Sequence, residues 1–456
     1  MRATGIGISL LLSAWMLAAV KPVQAEGHRA WFEAWLDRFE RLLGRDPAAP
    51  PWLRVVDYRP GRLARARTEL VGFGENTMAF RHTIARLPEG GVRVRTGIDR
   101  EALAPETVRE LAEMWGDLEA VELVLESDGD ARWQGTLRLP ETEIAGEDGS
   151  TYRLGALRYR FLLELAGDEF RLWEGALELG SLFVREADGS TVTIDGLDLA
   201  HRSRVEEWFR GNALAGDAGA TLKPARMSVV DAEDDIRLAT GTTRFEASSS
   251  FDRDERADLR LVLEVPVRRL ENNGELLVEG GGLSFSFRLR FGTRRLLQQI
   301  LAYSEERGDL PPAESLGLLD LESLLFDLFA RSGTLEVALT AADGRGERLT
   351  LELDFRWPDA PDREIPDTLG DWIRSASGRL DFRYPVSALE DEDLQQLLAL
   401  PLAMGFARIE EDAVVGALRL ENGLLIQGAE IQPLEAWLGD LAALPLKPEG
   451  LTGETR

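Results

Sequence analysis

The 456-residue chain contains three histidines, His28, His82 and His201, and no cysteine. A histidine-centred metal or acid–base site needs at least one carboxylate close by. The three imidazoles lie far apart in sequence, and each reads more simply as a satisfied or surface side chain. Without thiols the chain offers no thiolate catalysis, disulfide, thiolate zinc site or cysteine lipidation. Carboxylates are plentiful. Asp231, Glu233, Asp234 and Asp235 could hold calcium loosely, but they lack the Asp-x-Asp-x-Asp-Gly wrap, so a solvated turn is expected. Glu390-Asp391-Glu392-Asp393 suits the first turn of a helix, where carboxylates meet the positive end of the dipole. A glycosidase-type carboxylate pair stays open, although nothing selects one pair. No Gly-x-Ser-x-Gly, Ser-x-x-Lys, Walker or dinucleotide motif sits in a strand–turn–helix context. Gly280-Gly281-Gly282 precedes a strand and reads as a bend, not a phosphate cradle. No catalytic, metal or cofactor-binding residue is assigned, and no cofactor is expected.

The elements that would position any site are dominated by a repeat. Trp133, Gly135, Leu137 and Leu139 precede Asp148-Gly149-Ser150-Thr151, then Leu154 and Leu157; Trp173, Gly175, Leu177 and Leu179 precede Asp188-Gly189-Ser190-Thr191, then Ile194 and Leu197, every pair at an offset of forty. Alternating apolar positions between Asp-Gly turns predict neighbouring antiparallel hairpins, apolar on one face and charged on the other. Trp133 and Trp173 lie on the apolar side. Core packing is the plainer role for them, and contact with an apolar ligand is the alternative.

Elsewhere, apolar residues at steps of three and four predict helices over 29–43, 99–115, 294–306, 313–330 and 389–400, and a short one over 205–213. The cleanest alternation is Leu283 to Phe291, and Asn272-Asn273-Gly274 and Asn422-Gly423 mark further turns.

Composition limits the partners. Eighty acidic residues against 53 basic give a formal charge of -27. This argues against nucleic acid and against broad adsorption to anionic lipid, since both interactions depend on Lys and Arg. At the N-terminus, Met1-Arg2 is followed by an apolar run from Gly5 to Val20, then Lys21-Pro22 and Val23-Gln24-Ala25. This predicts a secretory signal peptide over 1–25. The run is shorter than the roughly twenty residues that span a bilayer, which favours cleavage over an uncleaved inner-membrane anchor. Both readings export the remainder.

Further motifs carry a resemblance. Tyr58, Gly61 and Arg81-His82-Thr83-Ile84 stand in the first strand region, followed by Trp133/Gly135 and Trp173/Gly175. Gly405-Phe406 and Gly416-Ala417-Leu418-Arg419-Leu420-Glu421-Asn422-Gly423 stand near the end. Together these resemble the YdgA-like family of bacterial envelope proteins (domain of unknown function 945). Where a His-Gly-Pro would follow the Arg-His element, this chain reads Arg86-Leu87-Pro88. The resemblance implies a periplasmic protein and carries no catalytic residue.

The expected fold is mainly β with helices (α+β), an extended, curved antiparallel meander with a few packed helices. The expected organisation is a signal peptide (1–25), an N-terminal helix and linker (26–52), a repeat-containing β region (53–292), a helical hairpin (293–332), a C-terminal β region with helices (333–446) and a disordered tail (447–456). The leading functional expectation is a non-enzymatic periplasmic protein of a Gram-negative envelope, binding an apolar ligand such as a lipid, or an envelope protein, along a half-covered sheet. A structural β-repeat scaffold with a closed core and a hydrolase with unidentified acidic residues are the alternatives.

Overall fold

The computed structural model describes residues 29, 32, 33, 36, 52–70, 78–87, 91–127, 131–146, 148–166, 169–209, 212–231, 234–307, 331–342, 348–359, 364–386, 402, 405, 407–427, 430–434 and 438–446. The signal-like segment, the helices predicted over 313–330 and 389–400, and the tail lie outside these residues. The described residues are mainly antiparallel β. They fall into two compact units, one of residues 1–205, 220–239 and 271–275, the other of 206–219, 240–270 and 276–456.

The strands up to residue 240 are β1 (Leu53–Arg59), β2 (Leu63–Leu70), β3 (Ala79–Arg86), β4 (Val92–Ile98), β5 (Glu122–Ser127), β6 (Arg132–Leu139), β7 (Thr142–Ala145), β8 (Thr151–Leu154), β9 (Leu157–Ala166), β10 (Glu169–Arg185), β11 (Thr191–Phe209), β12 (Asn212–Leu222), β13 (Arg226–Val230) and β14 (Asp235–Thr240). In the first unit β1 to β6 pair in succession, then β6 pairs β9, β9 pairs β10, β10 pairs β11, β11 pairs β13 and β13 pairs β14, all antiparallel. The short β7–β8 hairpin adds to the far half of β10.

Side chains alternate between the faces of a strand, and here the alternation selects a core. Ala64, Ala66, Phe80, Ile84, Val94, Ile98, Leu123, Leu125, Trp133, Leu137, Tyr159, Phe161 and Leu163 are buried on one face. Phe32 and Leu36 of the N-terminal helical segment pack on them, as do Leu111 and Trp115 of helix α1 (Pro105–Trp115). Proline at the first turn of α1 costs no hydrogen bond, and Gly116, at φ 59°, ends the helix. The opposite face carries ion pairs between neighbouring strands, including Arg93–Glu126, Arg132–Glu164, Arg160–Glu178 and Arg202–Glu174.

The later strands are β15 (Thr243–Phe251), β16 (Arg256–Asn272), β17 (Glu275–Thr293), β18 (Gly333–Ala342), β19 (Arg348–Trp357), β20 (Ser377–Pro385), β21 (Arg408–Glu410), β22 (Ala413–Glu421), β23 (Leu424–Gln427) and β24 (Glu430–Pro433). In the second unit β17, β18, β19, β20 and β22 pair in succession, and β23 and β24 follow β22. Asn422 and Gly423 take φ 53° and 72°, the left-handed pair a two-residue hairpin turn requires. Helix α2 (Arg294–Arg307) follows β17 as expected, and α3 (Leu369–Ser375) opens on a capping box between Thr368 and Asp371.

Three local expectations are corrected. Residues 205–213 are not a helix: β11 runs to Phe209 and β12 starts at Asn212. Val205 is buried between exposed Arg204 and Glu206, a period of two that continues the strand. Alternation in the repeat also predicts one strand over 152–165 and separate strands over 170–179 and 182–185; the first is two strands, broken at Gly155-Ala156, and the other two are one 17-residue strand.

Candidate functional site

The register explains the forty-residue repeat. Trp133 and Trp173 both pair with Leu163; Gly135 and Gly175 both pair with Phe161; Leu137 and Leu177 with Tyr159; Leu139 and Leu179 with Leu157. The two tryptophan-led strands therefore flank β9 with matching register. The second halves of the copies do the same about β10, where Leu154 and Ile194 both pair with Leu182. The turns match bond for bond: Gly146 N donates to Ser150 O at 2.8 Å and Glu186 N to Ser190 O at 2.8 Å. Ser150 N and Ser190 N donate to Oδ1 of Asp148 and Asp188.

The glycine of each Trp-x-Gly makes room for an aromatic ring from β9. A Cβ on Gly135 would stand 2.2 Å from the Phe161 ring, and one on Gly175 would stand 2.5 Å from the Tyr159 hydroxyl and 2.3 Å from Nε2 of His201. Trp133 is fully buried at 0% exposure, so it belongs to the core packing and is not presented to a ligand at the surface. Trp173 is half-buried. Its indole N–H donates to the Tyr159 oxygen at 3.0 Å, and that oxygen lies 2.7 Å from Nε2 of His201. Tyr159 thus accepts from the indole and keeps its own hydrogen for the imidazole.

His201, expected just before a helix, lies inside β11. Burial lowers its pKa below the usual histidine value and raises Tyr159 to about 12, so the Trp–Tyr–His chain is neutral at ordinary pH. His82 is buried between the Thr68 and Thr96 hydroxyls at 2.8 and 2.9 Å, under the edge of Phe32. Burial lowers its pKa to about 3. Both imidazoles are satisfied within the sheet, and neither hydrogen-bond chain contains a carboxylate.

The acidic turn at 231–235 is also internally satisfied where it is described. Asp234 N donates to Asp231 Oδ1, and both Asp235 oxygens accept from Arg237. Glu233 lies outside the described residues, as does the acidic run 390–393. Among the described residues no group of three or more His, Asp or Glu side chains is placed to hold a metal.

The sequence-based expectation of one apolar face fails at a line of glycines. Gly155, Gly180 and Gly196 lie at one level across the β8–β9 break, β10 and β11, with Gly155 N donating to Ser181 O and Gly180 N to Ala156 O. Gly196 takes φ 67°. Before this line Trp173, Leu177, Leu179, Leu197 and Leu199 lie on the core face of β10 and β11. Beyond it Leu182, Val184, Val192 and Ile194 belong by alternation to the other face, and Phe183 keeps to the first.

Two adjacent rows result. One runs Ile144, Tyr152, Val184, Val192, Val229, Ile236; the other runs Thr142, Leu154, Leu182, Ile194, Met227, Leu238. Each crosses six strands of the first unit. Thr142 is the one buried member, and Ile236 and Met227 are 37% and 38% exposed. The reverse face is mostly polar, with Glu143–Arg153 and Asp235–Arg237 pairs, Thr193 and Ser228, but holds Phe183 at its centre under the Arg153 guanidinium. On the row side the glycine line is bordered by a charged row containing Glu178, Asp198 and Lys223.

The second unit carries a related strip. Phe287, Val337, Leu353, Leu380 and Leu418 form one half-buried cross-strand row. It lies between a cluster around Phe382, Tyr384 and Val414 and another around Trp357, Ile373 and Leu420. The polar face of the same strands forms a concavity of about 600 Å³ with Arg260, Arg288, Glu336, Glu352, Asp354 and Asp381 in its lining.

These geometries can hold hydrocarbon and charged groups on separate faces. No family model, curated protein or solved structure matches the chain.

Proposed function

We propose that this is an exported, non-enzymatic protein of the bacterial envelope that holds an apolar ligand, a lipid or acyl chain, on incompletely covered sheet faces. The carrying observation is the pair of cross-strand rows beyond the glycine line, which cross six strands and, apart from buried Thr142, are made of half-buried or exposed side chains that are apolar or aromatic. An exposed apolar area that is continuous and rimmed by polar residues marks an interaction surface. Export and a periplasmic location rest on the N-terminal run of apolar residues and on the resemblance to envelope proteins. Curvature of the sheet and helices packed upon it, the finer part of the expected fold, belong to this proposal too, since a curved sheet would wrap a chain that a flat one only touches.

The test is native mass spectrometry of the full chain purified from the envelope fraction without detergent exchange. Co-purifying lipid is the supporting result; ligand-free protein under the same gentle conditions contradicts it. One observation favours the scaffold reading: the core around Trp133, Leu125 and Leu163 is sealed at 0% exposure. A scaffold in which every apolar face is equally sealed would give no fluorescence response with a solvatochromic dye, whereas the apolar-ligand reading requires one.

A further inference from the structure

The polar face of the second unit holds charges that its own ion pairs leave over. In the concavity of about 600 Å³, Arg288 is held by Asp258 at 2.8 and 3.0 Å, Asp354 by Arg356 at 2.6 and 2.8 Å, and Asp381 by Arg379. Among the described residues, the other charged side chains of the lining, Arg260, Glu336 and Glu352, enter no ion pair.

The register sets the guanidinium and the two carboxylates on opposite sides of a low floor. Ser286, Ala338 and Glu352 stand side by side on β17, β18 and β19, and Glu336 is the diagonal neighbour of Glu352. Ser286 and Ala338 are small, so the sheet is sunk there below the charged side chains around it. The Asn273-Gly274 turn joins β16 to β17 as an antiparallel pair, so the Asp258–Arg288 contact brings Arg260 level with Ser286. Three strand spacings of about 4.8 Å then separate the backbones of Arg260 and Glu352, about 14 Å in all. Diagonal neighbours lie about 7–8 Å apart, which lets the Glu336 and Glu352 carboxylates face one cation.

Two like charges on one side of the floor and the opposite charge on the other complement a zwitterion. Its length follows from the span. An extended chain advances at most about 3.3–3.6 Å per residue, so a peptide of two or three residues sets its ammonium and carboxylate about 7–11 Å apart. The inward lean of the Arg260 and Glu352 side chains closes the rest. A single amino acid, or a phosphoethanolamine headgroup, carries its charges only a few bonds apart and falls short of one end. The carboxylates turn away a simple anion. The volume lies within the range of about 300–1,000 Å³ usual for small-ligand sites.

We infer that the concavity binds a di- or tripeptide with both termini free, its carboxylate on Arg260, its ammonium between Glu336 and Glu352, and its backbone over Ser286 and Ala338. Guanidinium and carboxylate form a charge-assisted fork, and the Ser286 hydroxyl can exchange a hydrogen bond with a peptide group. The lining offers the peptide charges and a floor of small residues, so recognition is of termini and length. The site lies on the polar face and does not depend on the apolar-ligand reading.

The experiment is isothermal titration calorimetry of the full chain with tri-alanine, its N-acetyl and C-amide forms, alanine and phosphoethanolamine. Tri-alanine should bind, and blocking either terminus should weaken it roughly tenfold or more, the worth of a hydrogen bond to a charged group. Two variants assign the ends. Arg260→Gln should bind the amide as well as the free acid and stay sensitive to acetylation. Glu352→Gln should lose sensitivity to acetylation and keep its sensitivity to amidation. Glu143→Gln, in the first unit, should match the parent protein, and circular dichroism should be unchanged throughout. The comparison of free and blocked peptides on the parent protein needs no variant. Absence of tri-alanine binding to the parent protein overturns the inference, as do equal affinities for free and blocked peptides, or alanine binding as tightly as tri-alanine. Tighter binding of phosphoethanolamine would make the concavity a headgroup site and overturn it too. An Arg260→Gln protein that still separates acid from amide overturns the assigned orientation. None of these results bears on whether the protein carries lipid, so the two readings fail separately.

Discussion

Replacing Gly135 with alanine tests whether the repeat means what the register says. The added Cβ would stand 2.2, 2.5 and 2.8 Å from three atoms of the Phe161 ring. Carbon atoms settle at about 3.5–4.0 Å, so the ring must retreat by about 1.3 Å or more. It has nowhere to go. Phe161 is buried and stacks on Tyr159 at 5.5 Å between centroids, and Tyr159 is tied to Trp173 and His201. Overpacking of this kind costs about 1–3 kcal/mol, and loss of glycine freedom in the unfolded chain returns about 0.4–1 kcal/mol. A net loss of about 1–2 kcal/mol follows from these two terms. Native-state hydrogen exchange of the β6 and β9 amides reads this sheet locally. Phe161→Leu should couple with Gly135→Ala by about 1 kcal/mol, because the smaller side chain vacates the space the new methyl needs. Gly149→Ala serves as the contrast: nothing lies within 4 Å of its Cβ, and its cost comes from φ 87° alone. If Gly135→Ala protects β9 as well as the parent glycine does, or adds without coupling to Phe161→Leu, the ring does not cross that glycine and the explanation of the repeat fails.

Acidification should weaken the first unit through His82. Its folded pKa, held near 3 by burial, lies below the ordinary 6.5; its contribution is therefore complete above about pH 6.5 and drains away as pH falls toward about 3. The stability gap between the parent protein and His82→Gln should narrow between about pH 7 and pH 4, and a gap independent of pH contradicts the burial account. Leu125, at 0% exposure, and Ile194, half-buried in the strip, should differ in their response to truncation. Leu125→Ala should cost about 2–5 kcal/mol, while Ile194→Ala should stay near 1 kcal/mol or below because little packing is lost; equal costs in chemical denaturation would mean the strip is covered. Asn422→Ala should cost about 1 kcal/mol, because φ 53° is left-handed, and Asn422→Gly should not. Matching stabilities for the two variants would contradict the turn.

Much of the first unit was legible because local and tertiary demands coincide there. The Asp-Gly-Ser-Thr turns, the alternating leucines and the offset of forty all follow from paired hairpins, and the structure returns them as equivalent positions around β9 and β10. The face inversion was also written in the chain. Leu154 to Leu157 and Ile194 to Leu197 are odd steps of three, which put the two members of each pair on opposite faces of an extended chain. Reading the leucines as one stripe overlooked that parity. Residues 205–213 misled for a different reason: Glu206-Glu207-Trp208-Phe209 imitates a helical pattern over a window too short to separate periods of 2 and 3.6. The Trp173–Tyr159–His201 chain was not legible. Tyr159 and His201 are 42 residues apart, and only the registers of β9, β10 and β11 bring them together across Gly175.

The most direct test of the apolar-ligand account is native mass spectrometry of the full chain taken gently from the envelope, set beside Ile194→Glu prepared in the same way. The account predicts a mass increment matching one acyl-chain lipid on the parent protein and its loss from the variant. A parent protein that carries no increment, or a variant that carries the same one, contradicts it.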